Sequence, residues 1–193
     1  IPLVCDMSSD IFSRQLDFEK FDLIYAGAQK NMGPAGTTLV VLKEEILGKV
    51  ERHIPSMLNY QTHLDKESMF NTPAVFSIYV SMLTLQWLKD LGGISFIEKV
   101  NEKKAALLYG EIDRNPLFEG IVVKEDRSIM NATFVLKDNT LTEKFDKMWQ
   151  EANINGLHGH RSVGGYRASM YNALPLYSVQ ALVDVMQELE RKN

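Results

Sequence analysis

An α/β region followed by a small α+β region is what the sequence predicts, on three observations. Within the first 42 residues, short apolar runs (Ile1 to Cys5, Leu23 to Ala26, Thr38 to Leu42) alternate with polar or glycine-rich stretches, as buried strands do. Two long stretches with apolar residues at helical spacing then follow, Ala74 to Leu91 and Ser95 to Arg114. Beyond them the pattern changes to short strands and two further helices. A chain of 193 residues with 45% hydrophobic residues can form one ordinary domain or slightly more. The expected division is 1–92 and 93–193, with the long helix linking the two parts near Leu91 to Ser95.

Composition removes several classes of function. The net charge of -4 and the lack of any Lys/Arg run argue against a nucleic-acid partner. No apolar stretch approaches the roughly 18 residues of a membrane span. The lone Cys5 excludes an internal disulfide framework and fits a reducing cytoplasm, the expected location. The chain lacks an initiator methionine and opens inside an apparent buried strand, so it is expected to be the carboxyl-terminal part of something longer.

Taken in order, Ile1 to Cys5 reads as a parallel strand with Asp6 at its carboxyl end, where open α/β sheets place ligands. Met7 to Phe21 reads as a loop in which Ser8, Ser9 and Ser13 serve local turns. Arg14 is left open between facing a site and pairing with Asp10 or Asp17. Strands at Asp22 to Ala26 and Thr38 to Val41 are separated by about ten residues, too few for a helical crossover, which predicts antiparallel pairing. A short helix is expected from Lys43 to Val50. Glu51 to Met69, with His53 and His63, reads as a long irregular connection of the kind usually kept for function.

Thr72-Pro73 has the form of a helix cap followed by proline at the first helical position. The aromatics of the helix to Leu91 are expected in the core. In the next helix, Glu98, Lys99, Glu102, Lys103 and Lys104 read as a solvated face, and Asn115-Pro116 stops it. Strands are then expected at Ile121 to Val123, Ala132 to Leu136 and Tyr166 to Tyr171, and helices at Leu141 to Ala152 and Ser178 to Arg191.

Two stretches concentrate chemistry. In Tyr25-Ala26-Gly27-Ala28-Gln29-Lys30-Asn31-Met32-Gly33-Pro34-Ala35-Gly36 a strand runs into a lysine on a tight glycine turn. A lysine becomes a nucleophile only when burial or cationic neighbours lower its pKa, after which it can form a Schiff base with an aldehyde. An aspartate ending one strand and a lysine ending the next is what pyridoxal phosphate requires: Asp6 for the ring nitrogen, Lys30 for the aldehyde. The second stretch, Gly156 to Arg167, gathers His160, Arg161 and Arg167 among several glycines, suited to carboxylate or phosphate. His158 and His160 lack nearby carboxylate or cysteine ligands, so no metal is expected.

VCDMSSDIFSR, IYAGAQKNMGPAG, SMFNTP and GLHGHRSVGGYRASMYNALP together resemble the phosphoserine aminotransferases, class V members of the fold type I pyridoxal phosphate enzymes. The resemblance spans the whole chain and implies the carboxyl-terminal part of a mostly parallel large domain followed by the small domain. It also implies that the missing earlier half supplies the aromatic group stacked on the cofactor and part of its phosphate cup. Gln29 is implied as a ligand of cofactor phosphate; Asn71 and Thr72 are implied to reach the partner's cofactor across a homodimer interface.

Arg167 is implied to hold the substrate α-carboxylate, and His160 and Arg161 its distal phosphate. The implied reaction moves the amino group of glutamate to 3-phosphohydroxypyruvate, giving phosphoserine and 2-oxoglutarate. Family members sometimes act also in vitamin B6 synthesis. Alternatives are another class V aminotransferase, a sulfur-mobilising lyase (weakened because Cys5 lies within a strand), or a non-catalytic dimerisation or phosphate-binding fragment.

Overall fold

The computed structural model describes residues 1–193, and the chain divides into two compact units, Ile1–Leu91 and Gly92–Asn193. In the first, β1 (Val4–Asp6), β2 (Leu23–Gly27) and β3 (Thr38–Leu42) form a sheet in that order. β1 and β2 are parallel, with Asp6 opposite Tyr25, while β2 and β3 are antiparallel. The parallel pair brings the carboxyl ends of β1 and β2 to the same edge, so Asp6 and the turn after Gly27 face one region. The expected antiparallel return through the lysine turn is present. Met7, Ile11, Ile24, Ala26, Ala28 and Met32 form the small core beneath it.

Several local expectations shift. The helix expected from Lys43 to Val50 is a single 3-10 turn, Glu44–Ile46, because Gly48 takes a left-handed φ of 68° and ends it. The irregular connection contains a short helix, α1 (Tyr60–Asp65), capped by the Asn59 side chain. Thr72 is not a cap: α2 spans Val75–Asp90 with Ala74 before it. The aromatics of α2 are not core within this chain, with Phe76 74% and Tyr79 55% exposed. Only Ser81 and Leu88 of this helix are buried. A helix apolar on all sides needs partners on all sides, and the first unit packs against one stripe of it.

In the second unit, β4 (Phe118–Gly120), β5 (Asn131–Leu136) and β6 (Tyr166–Ser169) make an antiparallel sheet in that order. Its buried positions alternate (Ala132, Phe134, Leu136; Tyr166, Ala168), as a sheet covered on one face requires. The cover comes from α3 (Ile94–Arg114), α4 (Thr142–Glu151) and α5 (Leu176–Arg191). β4 lies three residues before the expected Ile121 to Val123, since Phe118 is the residue that enters the core.

Lys104 corrects the reading of α3 as carrying a continuous charged face. It is fully buried and donates to the carbonyls of Met170 (2.9 Å), Tyr171 (2.9 Å) and Leu174 (3.1 Å). Asn101 Nδ2, one turn earlier, donates to Asn172 Oδ1 at 2.9 Å. α3 thus fastens the connection between β6 and α5.

Candidate active site

At the carboxyl edge of β1 and β2, Asp6 Oδ1 accepts from the Ser8 N–H at 2.8 Å, the side chain looping onto its own backbone two residues on. The Ser8 hydroxyl, its N–H, the Tyr25 hydroxyl and the positive charge of Lys30 together hold the Asp6 carboxyl below its ordinary value, against a smaller opposing effect of burial. Ser8 Oγ in turn accepts from the Gly27 N–H at 3.0 Å, coupling Asp6 to the end of β2. Asp6 raises the pKa of the Tyr25 hydroxyl beside it, chiefly by its charge. Asp6 is therefore a carboxylate at neutral pH with the Lys30 ammonium close enough to feel.

Lys30 sits in the turn after β2, its N–H donating to Ala28 O at 2.7 Å. The side chain is exposed, so the burial expected of a nucleophilic lysine is not provided by this chain's own side chains. Gln29 folds back over Gly27, where an added Cβ would lie 2.5 Å from Gln29 Oε1. The turn is seated on α2 by two glycine–serine contacts one helical turn apart: a Cβ at Gly33 would meet Ser81 Oγ at 2.7 Å, and one at Gly36 would meet Ser77 Oγ at 2.8 Å. Ser77 Oγ also donates to Ala35 O at 2.9 Å. Gly36, at φ 111°, has a conformation that only glycine adopts freely.

Asn71 and Thr72 are exposed in the irregular stretch before α2, with Asn71 Nδ2 donating to Thr72 O at 3.1 Å. Arg14, left open by the sequence, pairs with Asp10 at 3.0 Å. In the second unit, His160 and Arg161 line a cavity of about 330 Å³. His160 Nδ1 lies 2.7 Å from Ser162 Oγ and accepts from the Ser162 N–H at 3.3 Å, which in the neutral ring leaves Nε2 as the donor. Arg167, on the uncovered face of β6, lines a different cavity of about 410 Å³. Asp6, Gln29 and Lys30 are thus brought together, His160 and Arg161 are brought together, and Arg167 stands apart from that pair. No group of three or more His, Cys, Asp or Glu side chains is placed to hold a metal.

The class V aminotransferase family profile matches residues 1–182. The chain belongs to the class V aminotransferase family. It is 74% identical over 192 residues to phosphoserine aminotransferase of Flavobacterium psychrophilum, covering 100% of this chain and 54% of that protein. It is 57% identical over 193 residues to the Porphyromonas gingivalis protein of that name, covering 99% and 54%. Phosphoserine aminotransferase from Bacillus circulans subsp. alkalophilus superposes with a TM-score of 0.94 at 44% identity, covering 100% of this chain and 54% of that one. The Trichomonas vaginalis enzyme, described as PLP bound, gives 0.90 at 37%, covering 96% and 53%.

This class V chain spans about half the length of the curated relatives it matches. Its α/β first unit and α+β second unit are those of a fold type I fragment. Sequence reasoning missed Ser8, Tyr25, Ser77 and Ser81 as supports of the Asp6–Lys30 edge. The Asp-x-Ser spacing at residues 6 and 8 was a readable signal; the serine seats, distant in sequence from the glycines they meet, were not.

Proposed function

We propose that this chain is the carboxyl-terminal part of a pyridoxal phosphate-dependent phosphoserine aminotransferase. The observation that carries the reading is the meeting of an ionised Asp6 and Lys30 at the carboxyl edge of the parallel strand pair. The donor set fits the cofactor: a carboxylate held low in pKa suits a protonated pyridine nitrogen, and the Gln29 amide, lying over Gly27, can donate to a phosphate oxygen. Asp6 would hold the ring, Lys30 the aldehyde, and Gln29 the phosphate, with Asn71 and Thr72 serving the partner's cofactor in a homodimer. When bound, pyridoxal phosphate supplies an electron sink for the charge left at a substrate Cα.

The remaining chemistry belongs to the chain. Lys30 Nζ takes the Cα proton of the amino donor as general base, and as general acid returns one to the Cα of the keto-acid acceptor. Arg167 grips the α-carboxylate through a guanidinium fork. His160 Nε2–H and Arg161 bind the distal phosphate of 3-phosphohydroxypyruvate or phosphoserine, or the distal carboxylate of glutamate. Both substrates carry an anion at each end, which matches cationic groups held in two separate cavities. No helix is long and apolar enough to cross a membrane, and the single Cys5 accords with a cytoplasmic enzyme.

The test is transamination from glutamate to 3-phosphohydroxypyruvate by the full-length enzyme. Lys30→Ala should abolish turnover while the protein stays folded; intact turnover would end the proposal.

A further inference from the structure

The loop carrying His160 and Arg161 is closed on itself and tied down at both ends. The Gly159 N–H donates to Gly165 O at 2.8 Å, and the Val163 and Gly164 N–H groups both donate to His160 O. Neither neck glycine tolerates a side chain: a Cβ at Gly159 would overlap Gly164 O, and one at Gly165 would lie 2.8 Å from Phe134 O. The residues just outside the neck, His158 and Tyr166, face each other across a single antiparallel bridge with their rings stacked at 6.1 Å.

One carboxylate on a neighbouring helix reaches both of these flanking residues. Asp146 Oδ1, on α4, accepts from the Tyr166 hydroxyl at 2.9 Å and from Trp149 Nε1–H at 3.0 Å. Asp146 Oδ2 lies 3.8 Å from His158 Nε2. Trp149 meets the His158 ring edge-on at 5.3 Å, and Phe145 meets Tyr166 the same way at 5.0 Å. Burial and the Asp146 charge push the Tyr166 hydroxyl pKa up, so it stays a donor at every working pH. His158, His160, Arg161, Thr142 and Tyr166 line the same 330 Å³ cavity.

We infer that Asp146 is the positioning residue of the distal-anion grip: by holding Tyr166 and Trp149, against which His158 packs, it fixes the loop that presents His160 and Arg161. This rests on the reading that His160 and Arg161 bind the substrate's distal phosphate. A closed loop whose Tyr166 end is hydrogen-bonded to Asp146 and whose His158 end packs on Tyr166 and Trp149 meets an incoming anion without first losing conformational freedom, and a guanidinium displaced by about an ångström loses much of a forked contact. Asp146 itself touches no substrate. Its loss should therefore appear in KM for the phosphorylated substrate and little in kcat.

The experiment is steady-state kinetics of the full-length enzyme with 3-phosphohydroxypyruvate, for wild type, Asp146→Ala, Asp146→Asn and Arg161→Ala. Arg161→Ala should raise KM by roughly a hundredfold and Asp146→Ala by roughly tenfold, with kcat for the latter within about twofold. Asp146→Asn keeps an oxygen acceptor for Tyr166 and Trp149 and should recover most of the loss, which a general weakening of the fold would not predict. Should Asp146→Ala not fold, Tyr166→Phe removes only the hydroxyl and should raise KM about threefold. An effect of Arg161→Ala with none from the folded Asp146→Ala or Tyr166→Phe overturns the positioning role alone. No effect of Arg161→Ala overturns the anion-grip reading and this inference with it.

Discussion

Replacing Lys104 by Met tests the least expected feature of the fold. The side chains are similar in volume, so the change removes an ammonium without opening a cavity. It leaves the carbonyls of Met170, Tyr171 and Leu174 without the donor they share. At about 2 kcal/mol for each hydrogen bond made by a charged donor, the loss is roughly 6 kcal/mol, although Tyr171 O keeps the Leu174 N–H at 2.9 Å. Against this, burial pulls the Lys104 pKa from 10.5 down to about 8, so keeping the charge at neutral pH costs about 3.4 kcal/mol that Met does not incur. The expected net loss near pH 7 is about 3 kcal/mol, read as a shift in the urea midpoint followed by tryptophan fluorescence, Trp149 lying in this unit's core.

The pH dependence follows from linkage. A lysine with a lower pKa folded than unfolded binds fewer protons in the native state between about 8 and 10.5. Wild-type stability from this group therefore rises with pH across that window. The gap between wild type and Lys104→Met should widen by up to about 3 kcal/mol from pH 8 to 10.5. A flat or narrowing gap would refute the reasoning, showing that the three carbonyls hold the ammonium more strongly than burial disfavours it. A loss below about 1 kcal/mol at pH 7 would refute the structural assignment itself.

Gly36→Ala should destabilise the first unit by roughly 2 kcal/mol in thermal melts, from a φ of 111° and a Cβ 2.8 Å from Ser77 Oγ; adding Ser77→Ala should recover only the contact part. Ser8→Ala should raise the Asp6 pKa toward its ordinary value, measured by carbon-13 carboxyl titration, because the Ser8 hydroxyl is the largest single cause of its lowering. An unchanged titration would mean that the residue-8 N–H, Tyr25 and Lys30 hold Asp6 without the hydroxyl.

The parts of the fold written by local pattern were legible. Apolar runs ending in Asp6 and in the lysine turn placed β1 and β2, and the short connection to β3 dictated its direction. Lys104 was misread because lysines in a charged run usually face water. Yet its angular position matches the buried stripe of Ile97, Asn101, Leu108 and Glu111, and helical phase outweighs residue type when backbone acceptors wait inside. The strand after Asn115-Pro116 was placed three residues late because Ile121 to Val123 is the more β-branched run, whereas Phe118 fills the core against Phe134 and Phe145. Lys30 could be named from its turn, but its serine seats on α2 depend on residues more than forty positions away and carry no local signal.

The most direct measurement is to treat the protein with pyridoxal phosphate, reduce it with borohydride and locate the added mass by peptide mapping, for the chain alone and joined to the preceding half its relatives carry. Labelling confined to Lys30 in the joined protein is the predicted result, whatever the chain alone retains. Labelling scattered over surface lysines, or concentrated on any lysine but Lys30, would contradict the account.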